Sequence, residues 1–102
     1  MIAECRQMSF RVGDVDIQLR IEAEHRIILG RILKRKAGHP LAGVPVTLLQ
    51  DDCQIEMTIT DVLGEFRFVV APTGKLQVRA DLPACRLIGD FTIMEAEFDR
   101  VH

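Results

Sequence analysis

The sequence predicts an all-β fold, a single mainly antiparallel β-sandwich of seven to eight strands. Three observations predict it. Apolar and polar residues alternate with a period of two through most of the chain, as in the stretch 15–22. Glycines, prolines and short polar runs separate these stretches at spacings of roughly ten residues. The length of 102 residues suits one domain with one hydrophobic core.

The predicted strands follow one another with turn chemistry between them. In 15–22 the apolar residues fall on one face and the charged or amide residues on the other, which is typical of a strand with one buried side. The strands are predicted at 8–12 (the weakest pattern), 15–22, 26–33, 44–49, 54–60, 65–70, 75–80 and 86–93. Residues 94–102 favour a short terminal helix. The chain is thus divided into an N-terminal lead segment (1–14), the sandwich (15–93) and a C-terminal tail (94–102).

The stretch Thr60 to Val70 contains a predicted turn rather than a reactive site. Asp61 stands at the first position of the turn, where its carboxylate can accept backbone hydrogen bonds, and Gly64 can adopt positive φ without steric cost. A type I turn closed by a glycine bulge would join strands 54–60 and 65–70 as a hairpin. Gly43 and Gly74 are the structural glycines predicted for two further turns.

Composition excludes several classes of partner. The formal net charge of −2 gives no electrostatic attraction to nucleic acid or to an anionic membrane. The basic run from Arg31 to Lys36 is interpreted as a solvated strand end.

No apolar run approaches the roughly 18 residues of a membrane span, and the N-terminus lacks the pattern of a secretory signal. The odd number and wide separation of Cys5, Cys53 and Cys85 indicate reduced thiols and predict a cytoplasmic protein.

No catalytic, cofactor-binding or metal-binding residue is predicted. The three histidines are isolated from one another and from the cysteines: His25, His39 and His102. Asp51 and Asp52 share one predicted loop and Asp61 lies in the next. Successive loops of a meander lie at opposite ends of the strands, so these carboxylates cannot converge on a calcium ion.

The run from Gly30 to Val78 resembles the carboxypeptidase regulatory-like (transthyretin-like, prealbumin-type) β-sandwich family. "LGRILKRKAGHPLAGVPVTLL" is similar to that family's opening strand, glycine turn and second strand. "TITDVLGEFRF" resembles its Thr-x-Thr-Asp-x-x-Gly-x-Phe-x-Phe core. "APTGKLQVRA" resembles its Pro-x-Gly-x-Tyr-x-Leu strand, with Leu76 at a position that often holds an aromatic residue.

The N-terminal run "FRVGDVDIQLRIEAE" also resembles the lead strand of small bacterial proteins that carry this sandwich as their only domain. The resemblance implies a prealbumin-like fold. It also implies an accessory role, since domains of this family usually accompany peptidases, surface proteins or receptors and are not usually catalytic.

The expected function is therefore that of a non-enzymatic interaction module that binds an unidentified protein partner. Strand 15–22 is the predicted interaction edge, where unpaired backbone groups would accept a strand from the partner or from a second copy in a homo-oligomer. Its four outward residues would tune the choice of partner: Asp16, Gln18, Arg20 and Glu22.

Two other classes stay open. A carbohydrate- or small-ligand-binding sandwich would require exposed Phe side chains, because the chain has no Trp and no Tyr. A small hydrolase or metalloenzyme would require a His or Cys beside a carboxylate in a cleft.

Overall fold

The fold consists of two antiparallel β-sheets, and residues 5–22, 27–69 and 72–94 are described in this computed structural model. Sheet A contains β1 (Cys5–Val12), β2 (Val15–Glu22), β3 (Ile27–Lys34), β4 (His39–Pro40) and β7 (Glu65–Phe68). Sheet B contains β5 (Pro45–Gln50), β6 (Cys53–Ile59), β8 (Gly74–Asp81) and β9 (Arg86–Ile93). The predicted all-β class is confirmed, and the described residues contain no helix.

The strand order determines which backbone edges are free. In sheet A the order is β1-β2-β3, with β4 and β7 pairing successive parts of the far side of β3. In sheet B the order is β6-β5-β8-β9. At the sides of the molecule, β1 lies next to β9 and β6 lies next to β7. We call the β1–β9 side the open side and the β6–β7 side the clasped side.

The core lies between the two sheets and is filled by the inward members of each alternation. β9 shows this most clearly, because every second residue from Leu87 to Ile93 is buried and the residues between them are exposed. Fully buried aliphatic side chains come from both sheets, among them Ile17, Ile28, Ile32, Val46, Leu48, Val78, Leu87 and Ile93. Burial of each such side chain contributes about 1.5–3 kcal/mol to folding.

Two phenylalanine rings lie flat against glycines in this core. The ring of Phe66 covers Gly30 on the neighbouring strand, and the ring of Phe10 covers Gly89 in the opposite sheet. A Cβ atom at Gly30 would lie 2.0 Å from the Phe66 ring, and one at Gly89 would lie 2.6 Å from the Phe10 ring. These glycines are needed for the space that they leave, since neither has a positive φ.

All eight predicted strands overlap strands of the structure, with bounds that shift by a few residues. The structure adds the two-residue β4, which lies inside the stretch predicted as a turn. β7 ends at Phe68, and Val70 lies outside the described residues. The predicted terminal helix over 94–102 also lies outside them, apart from Met94.

The prediction of a hairpin at Asp61 is wrong, because the strands on either side of the turn belong to different sheets. β6 pairs with β5 in sheet B, whereas β7 pairs with β3 in sheet A. The turn therefore carries the chain from one sheet to the other. The local sequence predicts the geometry of the turn. It does not predict which strands pair, because strand pairing depends on packing between residues far apart in the sequence.

Candidate functional site

β2, the predicted interaction edge, lies inside sheet A, so that part of the prediction is wrong. It pairs with β1 along all eight of its residues and with β3 along the same eight. Residues 5–12 of the predicted lead segment form β1 and cover the side of β2 that was expected to be free. A strand with neighbours on both sides has no unpaired edge to offer a partner.

The four residues predicted to face outward on β2 do not behave alike. Gln18 and Arg20 are exposed and Glu22 is half-buried, with an Arg20–Glu22 ion pair of 2.7 Å. Asp16 is only 3% exposed, which corrects its prediction as an outward, solvated residue.

The buried carboxylate of Asp16 is incompletely satisfied. Its Oδ2 accepts a hydrogen bond of 3.3 Å from Gln18 Nε2, and its Oδ1 lies 3.7 Å from Arg11 Nε. Within the described residues Oδ1 accepts no hydrogen bond. Asp16 is covered because Arg11 and Leu33 are its register partners on the two neighbouring strands. It serves to hold Arg11 of the edge strand rather than to face solvent.

β1 is an edge strand of sheet A, and its hairpin fixes which backbone groups face outward. Val12 and Val15 flank the two-residue turn Gly13-Asp14 and are register partners, so they form a hydrogen-bonded pair. Gly13 has φ of 58°, which suits the first central position of a type II′ turn.

A hydrogen bond on the other side of β2 agrees with this assignment. The backbone N–H of Arg35 donates to the carbonyl of Asp14 at 2.7 Å, so Asp14 faces β3 and Val15 faces β1. Since successive residues of a strand direct their backbone groups to opposite sides, Gln7, Ser9 and Arg11 direct theirs away from β2. Among the described residues no strand pairs with these N–H and C=O groups, which form the edge on the open side.

β1 carries few of the features that protect an edge strand from pairing. It contains neither proline nor glycine, and its register with β2 runs without a bulge from Cys5 to Val12. The side chains of Gln7, Ser9 and Arg11 are exposed on the outer face, while Met8 and Phe10 are partly buried on the inner face. The edge is therefore regular, eight residues long and amphipathic.

The inner face of β1 is anchored to sheet B. Phe10 packs on Gly89 and on the ring of Phe91, with ring centroids 6.4 Å apart. The guanidinium of Arg6 donates a 2.7 Å hydrogen bond to the carbonyl of Thr92 on β9. β1 is thus anchored through its inner face, and no described strand pairs with its outer edge.

The clasped side differs because two carboxylates tie β6 to β7. At one end Asp61 accepts hydrogen bonds from the N–H groups of Leu63 and Glu65, both at 2.9 Å, and its own N–H donates to the Glu65 carbonyl. At the other end the Glu56 carboxylate accepts from the N–H of Val69 at 3.1 Å. β6 also carries a bulge next to its partners Leu48 and Leu49. Bulges and occupied edge groups oppose the addition of a strand.

The glycines predicted for turns lie in left-handed backbone. Gly43, Gly64 and Gly74 have φ of 72°, 73° and 105°. Gly64 donates its N–H to the Asp61 carbonyl at 2.9 Å, and its own carbonyl accepts from the N–H of Ile32 at 2.8 Å. Asp61 and Gly64 thus form the corner between the sheets.

The structure does not bring reactive side chains together in the described part of the chain. His39, Cys53 and Cys85 are exposed, and none forms a hydrogen bond or ion pair with a carboxylate. Within the same residues no group of three or more His, Cys, Asp or Glu side chains could hold a metal ion. Asp51 and Asp52 lie in the β5–β6 turn, at the opposite end of β6 from Asp61. His25 and His102 lie outside the described residues, as does the side chain of Cys5.

An aromatic platform for a sugar is also not found among the described residues. Phe66, Phe68 and Phe91 are buried, Phe10 is partly buried, and Phe98 lies outside the described part. The outer face of sheet A has a hollow of about 400 Å³ near Gly30, and its lining is mostly polar. No helix in the described residues is long and apolar enough to span a bilayer.

Comparison with known proteins assigns no family to the chain. No family model matches it, and neither the curated proteins nor the solved structures contain a match.

Proposed function

We propose that the chain is a non-enzymatic interaction module that binds a protein partner by strand addition at the edge of β1. The observation that supports this is the free edge itself, which presents the backbone groups of Gln7, Ser9 and Arg11 along a regular eight-residue strand. Strand addition supplies affinity through main-chain hydrogen bonds and specificity through alternate side chains. The proposal keeps the predicted mechanism and moves it from β2 to β1.

The same proposal extends to the finer fold and family. We infer a prealbumin-like sandwich of the carboxypeptidase regulatory-like type, with an accessory role. Its support is the resemblance of the run from Gly30 to Val78, together with the positive φ of Gly43, Gly64 and Gly74 in the turns of the resembling motifs. We also infer a cytoplasmic location, supported by the exposed, unpaired thiols of Cys53 and Cys85.

A proline substitution at Ser9 tests the edge. The N–H of Ser9 faces away from β2, so Ser9→Pro removes a donor from the free edge without removing a hydrogen bond of the sheet. Ser9→Ala is the matched control, because it removes the hydroxyl group and keeps the N–H.

The measurement is affinity capture from lysate of the source cells, with each variant as bait and quantitative mass spectrometry of the bound proteins. Proteins retained by the parent and by Ser9→Ala should fall roughly tenfold with Ser9→Pro, since loss of a backbone hydrogen bond and a steric clash each weaken the pairing. Circular dichroism must show that the bait is folded. Equal retention by folded Ser9→Pro, or no specific protein on the parent bait, would overturn the proposal.

A further inference from the structure

We propose that the strand added to β1 is β1 of a second copy, which makes the chain a symmetric dimer with one continuous sheet across the two copies. This inference rests on the proposed function, because it uses the same edge and names its occupant. A twofold axis perpendicular to the sheet would place the two strands antiparallel, with the same surface contributed by each copy. β1 meets the requirements of such pairing in its backbone, its side chains and its charge.

The backbone requirement is met because outward groups recur at every second residue. With Ser9 on the axis, Ser9 of one copy faces Ser9 of the other, and Gln7 faces Arg11. All three residues direct N–H and C=O groups outward, so each opposed pair exchanges two hydrogen bonds. The pairing then contains about six backbone hydrogen bonds.

The side chains match in this register as well. On the inner face Met8 of one copy lies opposite Phe10 of the other, which permits a favourable contact between sulfur and ring. Val12, which is 50% exposed in the single chain, lies opposite the aliphatic part of Arg6. On the outer face the opposed residues are all polar. A strand that extends sheet A must alternate apolar and polar residues as β1 does, and β1 itself satisfies that condition.

Charge does not oppose the pairing in this register. β1 contains Arg6 and Arg11, and an antiparallel register that set either arginine against itself would bring like charges together. With Ser9 on the axis, Arg11 faces Gln7 and Arg6 faces Val12. The Arg11 guanidinium also lies 3.7 Å from the Asp16 carboxylate, which offsets its charge. Charge therefore disfavours the registers centred on Arg6 or Arg11 and does not oppose the one centred on Ser9, which the side-chain pairs favour.

Sedimentation velocity over a concentration series measures the association. An interface formed mainly by one pair of strands falls in the smallest size class, below ~1,200 Å², so we expect a reversible dimer with Kd on the order of micromolar. The parent and Ser9→Ala should approach twice the 11.5 kDa monomer mass at high concentration. Ser9→Pro should raise Kd by at least roughly tenfold, which corresponds to the loss of a backbone hydrogen bond and a steric clash.

Disulfide trapping tests the register independently of any proline effect. In a variant with Cys5, Cys53 and Cys85 replaced by serine, Ser9→Cys places two thiols across the twofold axis, within the Cα separation of roughly 4.4–6.8 Å that a disulfide allows. Gln7→Cys is the matched control, because it faces Arg11 rather than itself. Mild oxidation should give a covalent dimer with Ser9→Cys and at least tenfold less with Gln7→Cys.

The outcomes separate this inference from the proposed function. A parent chain that stays monomeric at every concentration overturns the dimer, as does a dimer that Ser9→Pro leaves unchanged or equal trapping by the two cysteine variants. If the parent is monomeric and lysate capture still depends on the Ser9 N–H, the occupant is a different protein. In that case the proposed function stands and the second copy is rejected.

Discussion

Gly64 and Gly43 form a matched pair that tests how the corner between the sheets is built. Their φ angles are 73° and 72°, so an alanine at either position meets the same left-handed backbone penalty of about 1–2 kcal/mol. Their surroundings differ. A Cβ atom at Gly64 would lie 2.5 Å from the carbonyl oxygen of Ile32 and 3.1 Å from the N–H nitrogen of Leu41, whereas one at Gly43 would have nothing within 4 Å.

The magnitude of the difference follows from these contacts. Gly43→Ala should lower the free energy of unfolding by about 1–2 kcal/mol, which is the backbone term alone. Gly64→Ala adds an overpacking cost of about 1–3 kcal/mol, because the atom that must move is backbone rather than the end of a flexible side chain. It also strains the hydrogen bond between the Ile32 N–H and the Gly64 carbonyl, worth about 0.5–1.5 kcal/mol. The expected total for Gly64→Ala is therefore about 2.5–6.5 kcal/mol.

Urea titration and thermal melting of the two variants and the parent measure these values. At about 4–8 °C for each kcal/mol in a domain of this size, Gly43→Ala should lower Tm by roughly 4–16 °C, and Gly64→Ala should lower it by clearly more. Equal losses for the two variants would refute the reasoning, since they would show that the Ile32 carbonyl does not limit the space at Gly64.

Substitutions at Gly30, Thr60 and Asp61 test the packing and the polar contacts that hold the sheets together. Gly30→Ala should lower the free energy of unfolding by about 1–3 kcal/mol through the clash with Phe66, and adding Phe66→Leu to that variant should recover part of the loss. If chemical denaturation shows that the losses of the two substitutions simply add, the contact between the Phe66 ring and Gly30 is contradicted. Thr60→Val should lower the free energy of unfolding by about 1–3 kcal/mol in thermal melting, because the buried hydroxyl accepts a hydrogen bond from the Val44 N–H and donates one to the Leu41 carbonyl. No loss would mean that water or a backbone shift satisfies these two backbone groups in the variant. Asp61→Ala should lower the free energy of unfolding by about 1–3 kcal/mol. Asp61→Asn should lower it by less, because the amide oxygen can still accept hydrogen bonds from the two N–H groups. Equal losses for the two variants in urea titration would reject the role of the carboxylate oxygen.

Alternation predicts the strands well because each one has a single buried face. β2 and β9 follow the predicted pattern along most of their length, and the bounds of β9 agree with the prediction. The two-residue β4 at His39–Pro40 could not be found this way, because two residues are too few to show a period. Its pairing with Leu33 and Lys34 depends on the path of the chain after β3.

Strand neighbours were harder to predict than strands. β1 was the weakest strand prediction because only Met8, Phe10 and Val12 show the apolar period. The two-residue turn Gly13-Asp14 is a hairpin signal in the sequence, and it indicates that β1 pairs with β2, as the structure shows. That signal would have moved the predicted edge from β2 to β1. The division of β6 and β7 between two sheets has no such local signal.

Burial of single polar residues was not predictable from the period alone. Asp16 occupies an outward position, and only the side chains of neighbouring strands, such as Arg11 and Leu33, cover it. The β5–β6 turn was predicted as a polar loop, but the positive φ of both Asp51 and Asp52 was not, because asparagine and glycine are the residues that usually indicate a type I′ turn.

In the proposed assembly, the carboxylates of Asp61 and Glu56 also oppose growth beyond the dimer. A filament needs two adhesive flanks on every subunit, so that each added molecule leaves a new surface for the next. On the clasped side the two acids already accept hydrogen bonds from the N–H groups of Glu65 and Val69. Pairing of β1 with β1 of a second copy uses the same edge on both molecules, so this contact closes at two copies and does not continue into a fibre.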